Sequence, residues 1–154
     1  MTKNAHASKQ FQLLNKKPNF SINRTKLSKH LIVDDSSFNR LVLRRFLNIM
    51  GIEVDEVSSA EEALKTIAEN GEYGIIWSDF NLGSNGSDEE INGAELTQLL
   101  RTQYEYNGSI VVVTGFTDSV VQKQCADSGV NHFLTKPIDR SRVREYTLMY
   151  SRAS

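Results

Sequence analysis

The chain has 154 residues, of which 39% are hydrophobic and 24% charged, enough for one domain with a core of its own. The net charge of -1 hides an asymmetry: residues 1–30 carry seven basic and no acidic groups, which leaves residues 31–154 at -8. That acidic bulk disfavours sequence-specific nucleic-acid binding, no apolar run is long enough to span a membrane, and a lone cysteine, Cys125, excludes an internal disulfide.

Residues 1–28 are polar and basic, with only a small apolar cluster at Phe11, Leu13 and Leu14, and read as a flexible tail. They lack the apolar core of a signal peptide, so a reducing, cytoplasmic setting is expected. From residue 29 the texture becomes regular. "HLIV" reads as a strand. "SSFNRLVLRRFLNIMG" follows at helical spacing, with Phe38, Leu41, Val42, Phe46 and Ile49 as its expected apolar face and Ser36 or Ser37 as its cap. "IEVDEV" alternates as a strand. "SAEEALKTIAENG" predicts a helix with Ser59 as cap, Glu62 completing a capping box and Gly71 as terminator. "YGIIWS" is a continuous apolar strand. An acidic, glycine-rich loop at 83–90 leads to the helix "INGAELTQLLRTQ". "SIVVVTG" is the strongest strand of the chain. It is followed by a helix expected to be capped by Thr117, in which Cys125 is a small buried apolar group, then by the strand "NHFLT" and a final helix near 141–150.

Five strands alternating with five helices predict right-handed crossovers and a doubly wound α/β fold. The continuous apolar strands require a parallel sheet covered on both faces. In such sheets, ligands bind beyond the carboxyl ends of the strands. Those ends carry Asp34 and Asp35 after strand one, Asp79 after strand three, Thr114 and Gly115 after strand four, and Thr135, Lys136 and Pro137 after strand five. Each alone is an ordinary cap or turn residue. Together they set three carboxylates, a hydroxyl and an ammonium on one edge. Clustered carboxylates repel unless a hard divalent cation joins them, and Mg²⁺ with a phosphate oxygen suits that donor set.

The motifs "VDD", "SD", "VVVTG" and "TKP" in this order resemble the receiver domain of two-component response regulators and hybrid histidine kinases, over residues from about 29 to 150. The resemblance implies a (βα)5 flavodoxin-like fold in which residues 29–151 form the receiver, with tails at 1–28 and 152–154. It implies that Asp79 accepts a phosphoryl group from the phosphohistidine of a histidine kinase or a histidine phosphotransfer protein. Asp34, Asp35, Asp79 and the backbone carbonyl of Asn81 would hold Mg²⁺. Thr114 and Lys136 would contact the phosphoryl group, and the Lys136–Pro137 bond would be cis. Thr114 and Phe133 would act as the switch, altering a partner-binding surface made by the fourth helix, fifth strand and fifth helix. Asn81 and Phe116 lie where the family tunes dephosphorylation, and the bulk of Phe116 predicts a long-lived phosphoaspartate. Such a protein modifies itself and is not a turnover enzyme.

Two features depart from the family pattern. Gly83 stands where proline is usual, and Asn92 precedes Gly93 where aspartate is usual, across a longer link containing Asp88, Glu89 and Glu90. No output domain follows the last helix, so either a stand-alone receiver or part of a hybrid kinase is expected, with Met1 favouring the former. Two alternatives remain: a phosphorylation-independent pseudo-receiver, and a phosphohydrolase of the haloacid-dehalogenase type. "DDSSF" lacks the pattern of the latter, and Asn81 occupies the place of its acid/base aspartate.

Overall fold

A computed structural model describes residues 29–83, 91–115 and 117–151. The expectations for the 1–28 and 152–154 tails, the 84–90 part of the acidic loop, and Phe116 lie outside the described residues. The described chain alternates strictly: β1 (Lys29–Val33), α1 (Ser37–Ile49), β2 (Glu53–Val57), α2 (Ala60–Asn70), β3 (Ile75–Asp79), α3 (Gly93–Thr102), β4 (Ser109–Thr114), α4 (Ser119–Ser128), β5 (His132–Thr135) and α5 (Arg140–Ser151). All strand pairs are parallel, in the order β2-β1-β3-β4-β5.

Alternate residues of the central strands feed two cores. Leu31, Val33, Ile76 and Ile110 pack with Ala63, Leu64 and Ile67 of α2 and Leu96 and Leu100 of α3. Ile32, Ile75, Trp77, Val111 and Val113 pack with Leu43 and Leu47 of α1 and Val143 and Tyr146 of α5. A third cluster joins Phe80, Ala94, Val112 and Cys125 beneath α3 and α4. The strands are therefore buried on both faces, which is why they read as unbroken apolar runs. The edge strands β2 and β5 are the exceptions, and on β5 only Leu134 is buried. The acids of β2 remain at the rim, where Asp55 pairs with Lys29 at 2.8 Å.

Helix ends follow local chemistry, with two departures from expectation, and α1 departs in its buried face. Ser36 caps α1; of the expected face, Leu41, Val42 and Phe46 are partly buried, with Phe46 packed against the core, but the fully buried residues are Leu43 and Leu47, and Phe38 and Ile49 stand exposed. Its stripe is narrower than the apolar residues in the sequence, because only one side faces the sheet. Ser59 caps α2 as expected, accepting the Glu62 N–H at 3.1 Å. Glu62 does not complete the box on Ser59. It reaches one residue further, where Ser58 offers both its N–H and its hydroxyl. Asp118, not Thr117, caps α4 by accepting the Val121 N–H at 2.9 Å. A carboxylate there also complements the helix dipole. Gly129 ends α4 at φ 90°, a left-handed conformation that favours a residue without Cβ.

Candidate phosphoacceptor site

β1 and β3 lie side by side, and the chain winds outward from them in opposite directions. The crevice at their carboxyl ends is the switch point of the sheet. Asp34 and Asp35 leave the end of β1, and Asp79 is the last residue of β3. Carboxylate oxygens of all three lie within 4.8 Å of one another. Asp34 and Asp79 are buried, and Asp35 is partly exposed.

Two elements complete the edge. Thr114 ends β4 and is buried. The Lys136 N–H donates to Thr114 O at 2.8 Å, tying the segment after β5 to the end of β4. The Lys136–Pro137 peptide bond is cis. Lys136 extends its ammonium to 3.0 Å from Asp79 Oδ1. The structure thus brings Asp34, Asp35, Asp79, Thr114 and Lys136 to one edge. Asn81 is exposed at its rim, two residues beyond Asp79. Phe133 lies further along β5, paired in register with Val112 and 38% exposed.

Burial pushes the Asp79 carboxyl up to about 6; the neighbouring charge of Asp34 adds to this, and Lys136 opposes it. Asp34 is also raised, chiefly by burial, against the pull of the Ser36 N–H and the Lys136 charge. The Ser36 N–H donates to Asp34 Oδ1 at 2.8 Å, which orients that carboxylate. The cluster is therefore short of positive charge. Its donors are all hard oxygens, which fits a divalent cation of the Mg²⁺ type.

Several supporting residues escape a reading of strand ends. Arg40, at the end of the first turn of α1, donates through Nη1 to Asp34 O at 2.7 Å and faces Glu56, which also pairs with Arg44. Its position six residues after Asp34 was the available signal, since a helix starting at residue 37 turns that side chain back toward the strand end. Beneath the site, Trp77 Nε1–H donates to Nδ1 of buried His30 at 3.1 Å. That imidazole is lowered to about 4 by burial.

The sequence profile of the response regulator receiver domain matches residues 31–147. The chain belongs to this family. As a receiver domain of two-component systems, it is 33% identical over 121 residues to the osmosensing histidine protein kinase SLN1 of Saccharomyces cerevisiae, covering 75% of this chain and 9% of that kinase. It is 29% identical over 113 residues to two-component response regulator 24 of Arabidopsis thaliana, covering 73% of this chain and 76% of the relative. The receiver superposes on the chemotaxis response regulator CheY4 of Vibrio cholerae with a TM-score of 0.67 and 25% identity, over 79% of this chain and 97% of that one. The chain thus spans a small fraction of its kinase relative and most of its response-regulator relative. Family membership removes the ground for the phosphohydrolase alternative. Among the described residues, no helix is long and apolar enough to cross a membrane.

Proposed function

We propose that this receiver is a phosphoacceptor switch whose acceptor is Asp79. The observation that carries this reading is the pairing of Asp79 Oδ1 with Lys136 at 3.0 Å inside a cluster of three carboxylates. A purely structural salt bridge gains nothing from two further acids beside it. The donor is the phosphohistidine of a histidine kinase or a histidine phosphotransfer protein. The Asp79 carboxylate attacks phosphorus; the O–P bond forms as the N–P bond to the donor ring breaks, and the ring, protonated on its other nitrogen, leaves as neutral imidazole. Such transfers depend on positioning and charge neutralisation.

Asp34, Asp35, Asp79 and the Asn81 carbonyl would hold Mg²⁺, which when bound supplies charge neutralisation for the transferring oxygens. Lys136 supplies the second positive charge and holds the acceptor oxygen in place. The Thr114 hydroxyl would donate to the phosphoryl group once it is bound to Asp79. Movement of Thr114 and Phe133 would then alter the surface made by α4, β5 and α5 for a downstream protein. The complete charge set favours this over a pseudo-receiver, which needs none of it.

Radiolabelled histidine phosphotransfer protein, incubated with wild type and Asp79→Asn, tests the proposal. Wild type is expected to gain a hydroxylamine-sensitive label with Mg²⁺ and none when chelator is present from the start, while Asp79→Asn gains none in either condition. Equal labelling of the two proteins overturns the assignment.

A further inference from the structure

The helix that follows the acceptor meets it through a missing side chain. The Gly93 N–H donates to Phe80 O at 2.8 Å, closing the excursion from 81 to 92 at its base. A Cβ on Gly93 would lie 2.4 Å from Asp79 O and 3.1 Å from both Asp79 C and Phe80 Cα. All three atoms are backbone, so no rotamer change relieves the contact.

Neither partner is free to withdraw. Asn92 and Glu95 form a reciprocal capping box that fixes the first turn of α3. Gly93 and Ala94 are buried, and Thr97 Oγ1 donates to Gly93 O at 2.8 Å. On the acceptor side, the Phe80 N–H donates to Val113 O at 2.8 Å, and Ser78 Oγ donates to Asp79 O at 3.1 Å. The peptide between residues 79 and 80 is therefore held between β4 and the start of α3.

We propose that Gly93 is a positioning residue for phosphoryl transfer: its bare Cα lets α3 clamp the Asp79–Phe80 peptide and fix the acceptor carboxylate. The chemical role rests on the assignment of Asp79 as acceptor. The clamp also explains how the chain tolerates a lengthened link after the acceptor. A loop closed at its base grows at small entropic cost and without moving what lies below the closure.

Gly108 provides the control. A Cβ there would meet the Tyr106 hydroxyl at the same 2.4 Å, at the amino end of β4 and away from the acceptor. Labelling by acetyl phosphate with Mg²⁺, followed against donor concentration, separates the limiting rate from donor binding. Gly93→Ala is expected to lower the limiting rate on the order of 10²-fold with little change in half-saturating donor. Gly108→Ala is expected to keep the wild-type rate per folded molecule. In metal-free protein, the amide resonances of residues 79–81 should shift in Gly93→Ala and stay in place in Gly108→Ala. Wild-type rate and shifts in Gly93→Ala, or equal changes in both variants, overturn the clamp. If wild type itself takes no label, the acceptor assignment fails, while the resonance comparison still decides the clamp. Should Gly93→Ala not fold, hydrogen exchange on wild type decides: a Gly93 amide as protected as those of β3 supports the clamp, and one exchanging like an open loop overturns it.

Discussion

Lys136 Nζ lies 3.0 Å from Asp79 Oδ1 and is the positive charge that holds down a carboxyl otherwise raised by burial and by Asp34. Lys136→Met removes that charge while keeping most of the stem. The Asp79 midpoint, about 6 in the native protein, is expected to rise further in the metal-free variant. Carbon-13 NMR of the Asp79 carboxyl in chelator reads it directly. An unchanged midpoint would mean that the contact carries little electrostatic weight.

Asp79 and His30 make opposing contributions to stability as pH changes. Asp79 is raised from 3.8 to about 6, so the folded state binds the proton more tightly. Its contribution is present below pH 3.8 and is lost as pH rises through 6. Asp79→Asn is therefore expected to be more stable than metal-free wild type at pH 7.5, by about 1–3 kcal/mol, with the gap closing toward pH 4. His30 is lowered from 6.5 to about 4, so its contribution is present above pH 6.5 and lost as pH falls through 4. His30→Gln, which keeps an acceptor for the Trp77 N–H, should flatten that acid limb. Urea melts of wild type and the two variants between pH 4 and 7.5 measure both slopes.

The fold was legible because its signals are regional. Unbroken apolar strands such as "SIVVVT" and the βα alternation mark a covered parallel sheet, and the order of Asp34, Asp79, Thr114 and Lys136 marks its carboxyl edge. What the sequence left undetermined depends on single contacts. Thr117 and Asp118 are both competent caps, and only the placement of the Val121 N–H selects Asp118. Phe38 and Ile49 share the helical period of α1, yet they stand exposed because the core is met by Leu43, Phe46 and Leu47. The Arg40 bond to Asp34 O and the Gly93 contact with Asp79 O join residues whose meeting is set by tertiary packing.

A divalent cation held by Asp34 and Asp79 would compete with protons for the same oxygens. Both carboxyls are raised, Asp79 to about 6. Mg²⁺ affinity is therefore expected to be steady above neutrality and to fall below pH 6, by up to about tenfold per pH unit for each proton displaced. Titration calorimetry from pH 5 to 7.5, repeated in buffers of different ionisation enthalpy, gives the affinity and the protons released. A flat affinity with no proton release would place the cation away from Asp79.

Phe133 supplies the last prediction. Its side chain is partly exposed on β5, two residues before Thr135, the register partner of buried Thr114. If a phosphoryl group on Asp79 draws the Thr114 hydroxyl toward it, volume opens at the end of β4. Burying the exposed part of a phenyl ring there is worth about 1–2 kcal/mol. That shifts a two-state equilibrium about five- to thirtyfold, enough to favour the inward rotamer without locking it. Fluorine NMR of a 4-fluorophenylalanine label at Phe133 should show a second resonance that grows with phosphorylation. Phe133→Ala should accept the phosphoryl group at the wild-type rate and lose the phosphorylation-dependent gain in partner affinity. A variant that keeps that gain would assign the switch to another side chain.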